Sequence, residues 1–235
     1  MLHATPLPQA AAPRLEGLSE TARAALARAS HALHAQRFDA ARQALAEAAA
    51  LAPGHPEPRR AQAIIELQSG HPGQAVATLR GVLADCPDYA LAHADLGTAL
   101  QATGATAEAL AAWRQACTLA PDAPMPWFNL GRALQLEGST GEAIKALERS
   151  IALAPDFLPA LILAGDAQVH AGRFEAAERH YRAAIALHGA CGDAWRGLAN
   201  IKTRPLDAGD RARLAGFLAT PDTAPGWQGS RRVGR

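Results

Sequence analysis

At 235 residues with 49% hydrophobic side chains, the chain can bury a sizeable core and is not a disordered tract. Its 23 basic and 22 acidic residues give a formal net charge of +1, which argues against a nucleic-acid or anionic-membrane partner held by bulk electrostatics. Three widely spaced cysteines, Cys86, Cys117 and Cys191, form no CxxC pair and argue against a disulfide framework or structural zinc.

Much of the apolar count is alanine, and aromatics make up only 5% of the chain, which favours closely packed helices. Met1 to Pro13 is rich in Pro and Ala, without the basic start and apolar run of a secretory leader. No stretch is long and apolar enough to span a bilayer, so the expectation is a cytoplasmic chain with a flexible segment at 1–18.

From there a period governs the sequence. Pro53, Pro87, Pro121 and Pro155 are spaced by 34 residues each time (87−53, 121−87, 155−121). Three of them sit in the phrase Leu-Ala-Pro, and one more step lands on Gly189. Setting each proline at the thirty-second place of a unit gives repeats at 22–55, 56–89, 90–123, 124–157 and 158–191. The first two units are irregular: Arg28, Arg59 and Gln62 stand at apolar places, and Gln36 stands where later units carry Gly70, Gly104, Gly138 and Gly172. Those glycines share one phase, between two helices, where a left-handed residue ends the first.

The third unit reads His93-x2-Leu96-Gly97-x2-Leu100, then Ala109-x3-Trp113 and Pro121. The fourth reads Trp127-x2-Leu130-Gly131-x2-Leu134, then Ala143-x3-Leu147 and Pro155. In the fifth, Gly165, Ala177 and Tyr181 hold the matching places. Small residues on both helices of a hairpin permit close approach, and the bulky residue four places after the alanine fills the space between repeats. A partial sixth unit, 192–205, opens on Trp195-x2-Leu198-Ala199 and meets Pro205. A short final helix is expected over 206–219 with Leu214, Phe217 and Leu218 on its buried side, then a disordered tail at 220–235.

This pattern resembles the tetratricopeptide repeat over roughly residues 22–203. The resemblance implies an all-α solenoid of helix-turn-helix units, a right-handed superhelix of about five repeats plus a partial sixth. It implies a concave groove lined by first helices, where the fifth, ninth and neighbouring places meet a peptide. Carried onto this sequence, the groove residues are Thr98, Gln101, Phe128, Arg132, Gln135, Ile162, Asp166, Arg196 and Asn200, with Ala94 and Val169 beside them. Some family members clamp acidic chaperone tails with Lys at the fifth place. Ala94, Phe128 and Ile162 stand there instead, so a mixed groove for a different peptide is expected.

No catalytic constellation stands out: GxSxG, HExxH, GxGxxG and the phosphate-loop pattern are absent, and Gly138-Ser-Thr-Gly141 falls at a hairpin turn. His31 and His34 share a helix face without a third ligand, so neither a metal site nor a cofactor is expected. Trp195 to Thr203 resembles the end of the repeat array in bacterial sulfotransferases with N-terminal tetratricopeptide repeats. Two readings follow. One is a non-catalytic scaffold that binds a partner's peptide segment. The other is the repeat portion of such a sulfotransferase, used for acceptor binding or dimerisation, whose catalytic domain lies outside this chain. The incomplete sixth unit is also the expected place for pairing with a second copy.

Overall fold

The computed structural model describes residues 14–201, 203 and 205–219. Twelve helices and no strand occur among them. The first ten form five successive pairs: α1 (Glu20–His34) with α2 (Phe38–Leu51), α3 (Pro56–Gln68) with α4 (Pro72–Asp85), and α5 (Ala90–Ala102) with α6 (Thr106–Leu119). Then come α7 (Pro124–Leu136) with α8 (Thr140–Leu153) and α9 (Leu158–His170) with α10 (Phe174–Leu187), followed by α11 (Gly192–Asn200) and α12 (Ala208–Ala219). The described residues divide into two compact units, 14–155 and 156–219. None of the helices is long and apolar enough to cross a membrane.

Four hairpin turns are closed the same way. Gly70, Gly104, Gly138 and Gly172 take φ of 84°, 82°, 87° and 71°. The next residue's N–H bonds the carbonyl five residues back: His71 to Glu66, Ala105 to Leu100, Ser139 to Leu134 and Arg173 to Gln168, at 2.8 to 3.0 Å. This is the six-to-one bond that satisfies an orphan carbonyl at a helix end. Gln36 adopts the same left-handed region at φ 56°, with Arg37 bonding Ala32 at 2.8 Å. A side chain is strained there, a local cost the glycine-bearing units avoid.

Within a pair, the helices meet where the first carries glycine. A Cβ placed on Gly97 would lie 2.6 Å from Trp113, one on Gly131 2.7 Å from Leu147, and one on Gly165 2.4 Å from Tyr181. A Cβ on Gly197 would likewise lie 2.4 Å from the Tyr181 ring. Ala109, Ala143 and Ala177 beside them are fully buried. In the two irregular units the pairs are Ala29 with Leu45 and Ala63 with Leu79, all buried.

The fourth place of a unit does a second job. The Trp127 indole N–H donates to the Pro121 carbonyl at 3.1 Å, and that of Trp195 to Gly189 at 2.8 Å. His93 Nε2 reaches the Pro87 carbonyl at 2.8 Å, so imidazole supplies the indole's hydrogen bond. A carbonyl in the turn between repeats, with no helical partner, is thereby satisfied.

The last two helices keep the period. From α2 onward, every second helix starts 34 residues after the previous one, and Ala208 of α12 falls on that step from Phe174. Asp210 likewise takes the place held by Glu108 and Glu142. Arg80 pairs with Glu108, Arg114 with Glu142 at 3.0 Å, and Arg182 with Asp210 at 2.8 Å. The helix expected over 206–219 is observed as Ala208–Ala219 and starts where the 34-residue step puts a second helix. α11 stops at Asn200 because a proline ring clashes with the carbonyl four residues back, here Ile201. Leu214 is half-buried, while the side chains of Phe217 and Leu218, residues 1–13 of the segment expected at 1–18, and the tail expected at 220–235 lie outside the described residues; residues 14–18 of that segment are held, with Leu18 buried and Glu16 bonded to His55.

Gly165→Ala should destabilise the chain by about 1–3 kcal/mol in urea unfolding, since its methyl meets a ring held on two sides. Gly141→Ala, with nothing within 4 Å of the added carbon, should show no loss.

Candidate peptide-binding surfaces on the first helices

In the larger unit, α5 and α7 carry five of the sequence-derived groove residues. Thr98 is half-buried, and its hydroxyl donates to the Ala94 carbonyl at 3.1 Å. Trp113 Nε1 donates to the same oxygen at 3.1 Å, and Ala94 itself is buried, so the fifth place of the third unit offers no side chain. Gln101 is half-buried. On α7, Met125, Phe128, Arg132 and Gln135 follow one another at helical spacing on a single face. Phe128 is half-buried and Arg132 exposed. Gln135 Oε1 is buried without a hydrogen bond among the described residues.

The smaller unit holds the other four. Ile162, Asp166 and Val169 are half-buried along α9, and Asp166 accepts a 2.6 Å hydrogen bond from the Tyr181 hydroxyl. Arg196 of α11 is exposed and paired with Asp193 at 2.8 Å, and Asn200 is exposed at the helix end. A fixed carboxylate therefore lies between two aliphatic side chains.

A polar cluster that the sequence reading passed over fills the second and fifth places of the second unit. Arg60 donates to both Glu57 oxygens, at 3.0 and 2.7 Å, and also pairs with Asp95. The Tyr89 hydroxyl donates to Glu57. Glu57, Arg60 and Tyr89 are buried, so these groove places are closed by the protein's own ion pairs. Burial opposes the Arg60 charge, but the Glu57 hydrogen bond and Asp95 outweigh it and raise the guanidinium pKa further. The signal available in the sequence was the Glu57-x2-Arg60 pair at i, i+3.

Cys117 is buried, which pushes its thiol up to about 12 and away from nucleophilic reactivity. Cys86 is half-buried at the end of α4, and Cys191 is buried at the start of α11. His31 and His34 are exposed, and no cluster of three metal-ligating side chains occurs among the described residues.

Two tetratricopeptide repeat family models match, one over residues 60–124 and 95–156 and the other over 134–201, together 142 of 235 positions (201−60+1). This chain belongs to the tetratricopeptide repeat family. Its fold is similar to that of pilF from Pseudomonas aeruginosa, with a TM-score of 0.72 and 19% identity over 84% of this chain and 89% of that one. It is similar as well to TTC0263, a thermophilic tetratricopeptide protein of Thermus thermophilus, at 0.61 and 20% over 85% and 100%. A third similar structure is a chain of the APC/C hetero-tetramer Cut9–Hcn1, at 0.68 and 20% over 77% and 36%. No curated protein matches the sequence.

Both tyrosines of this tetratricopeptide chain, Tyr89 and Tyr181, have phenol pKa values raised above 10.0. Burial is the main cause in each, joined by the carboxylates of Glu57 and Asp166, with Arg60 and Arg196 opposing. A raised folded pKa contributes stability below pH 10 that is lost as pH rises through the folded value. Phenolate absorbance of the native chain should therefore stay flat around pH 10, whereas in urea both rings ionise there. Arg60→Ala, which strands two carboxylates, should lower the unfolding free energy by roughly 3–5 kcal/mol. Arg114→Ala, which breaks an exposed pair, should lower it by less than about 1 kcal/mol.

Proposed function

We propose that this chain is a non-catalytic interaction scaffold that binds a peptide segment of a partner protein on its first-helix face. The observation that carries the reading is the α7 stripe, where half-buried Phe128 stands one turn from exposed Arg132. An aromatic anchor beside a cation is the combination that dominates interface energetics. Gln135 on the same stripe and Gln101 on α5 add side-chain amides suited to the backbone of an extended or helical segment, while Thr98 already spends its donor on Ala94. On α9 and α11 the smaller unit offers Ile162, Asp166, Arg196 and Asn200 for the same use. That a structurally similar chain was crystallised in a hetero-tetramer supports a partner of protein character. The sulfotransferase-linked reading finds no support in the family match or in the structures named above.

Peptides selected from a displayed library against the full chain provide the test. Phe128→Ala with Arg132→Ala should weaken their binding by about 2 kcal/mol, roughly thirtyfold, at an unchanged unfolding midpoint. Unaltered affinity would exclude this surface.

A further inference from the structure

Arg14 is held like a ligand at the turn that opens α5. Its guanidinium lies 5.0 Å from the centroid of the Tyr89 ring. Nη2 pairs with Asp88 Oδ2 at 2.9 Å and donates to the Asp88 carbonyl at 3.3 Å. The Arg14 backbone N–H donates to the Tyr89 hydroxyl at 3.1 Å, and that hydroxyl in turn donates a hydrogen bond to Glu57. From there the chain runs back past α3, where His55 Nε2 donates to the Glu16 carbonyl at 3.0 Å. It is then anchored by buried Leu18 and by Ser19, whose hydroxyl caps α1 through the Ala22 N–H at 3.2 Å.

An aromatic face, a carboxylate and a carbonyl thus read one guanidinium, and a phenol reads the backbone that carries it. These are the contacts with which a protein recognises an arginine of another chain. None of them is strong here. The side chains of Arg14 and Asp88 are 38% and 70% exposed, and exposed ion pairs contribute little. The arginine stays because the short connection to Leu18 keeps it nearby, at an effective concentration on the order of millimolar.

We propose that the Tyr89–Asp88 corner is a docking site for an extended, arginine-bearing segment of a partner protein, and that Arg14 occupies it in cis until displaced. The Asp88 carboxylate and Glu57 give the corner the sign that suits a guanidinium, while Arg60 is already engaged by Glu57 and Asp95. The corner shares no residue with the Phe128–Arg132 stripe, so the two surfaces stand or fall separately.

The test is a nuclear magnetic resonance titration of the full chain and of its Arg14→Ala variant. The probes are the capped peptide Ala-Pro-Arg-Leu-Glu-Gly and the same peptide with citrulline replacing arginine. The arginine peptide should shift the amide signals of Asp88, Tyr89 and Ala90 in the variant with an affinity at least tenfold tighter than in the unaltered chain. The citrulline peptide should not, and adding Asp88→Asn should remove the response. Phe128→Ala with Arg132→Ala should leave it intact. No response, an equal response to citrulline, or equal affinity for both proteins would overturn the proposal. So would a collapse of thermal stability in Arg14→Ala, because Arg14 would then be a structural staple and not an exchangeable occupant.

Discussion

Bare glycine backbone against a bulky side chain is the contact on which the regular pairs depend. Gly97, Gly131 and Gly165 leave no room for even a methyl group against Trp113, Leu147 and Tyr181. Interiors are packed so densely that one added carbon must move its neighbours. The approach fixes how far apart the two helices of a pair sit, and hence which face of the first helix is left over. That left-over face carries Phe128 and Arg132 in the larger unit and Asp166 in the smaller one.

Hydrogen bonding then makes the units repeat. A left-handed turn residue lets the next N–H close each first helix, and the Trp or His at the fourth place closes the turn before it. Ion pairs at a constant phase, from Arg114 to Glu142 and from Arg182 to Asp210, link one second helix to the next. The exposed Arg114–Glu142 pair contributes little to stability. The Arg182–Asp210 pair, with Asp210 buried, ties α12 to α10 at the repeat position of a second helix even though Pro205 cuts α11 short.

The irregular second unit carries different physics. Its fifth place is an arginine that would read as a groove cation, yet Arg60 is buried between Glu57 and Asp95. Breaking such a group is expensive, because a carboxylate left behind has no water to solvate it. The same cluster positions the Tyr89 ring that receives Arg14. Irregularity in the repeat therefore coincides with a second, independent surface.

The sequence by itself determined the period, the hairpin turns and the pairing of small with bulky residues. Each is a local or fixed-offset property: a glycine's freedom at positive φ, a proline's missing N–H, a 34-residue step. The candidate groove places on α5, α7, α9 and α11 came from the family resemblance, and within one helix a constant spacing puts such residues on one face. Only the tertiary structure decided which of those places present a side chain. Ala94 is buried with its carbonyl taken by Trp113, and Thr98 spends its hydroxyl on its own helix. Contacts such as Arg14 to Tyr89, 75 residues apart, and Arg60 to Asp95 obey no sequence period. They arise because stacking brings the starts of α1, α3 and α5 alongside one another, which depends on packing and not on any single helix.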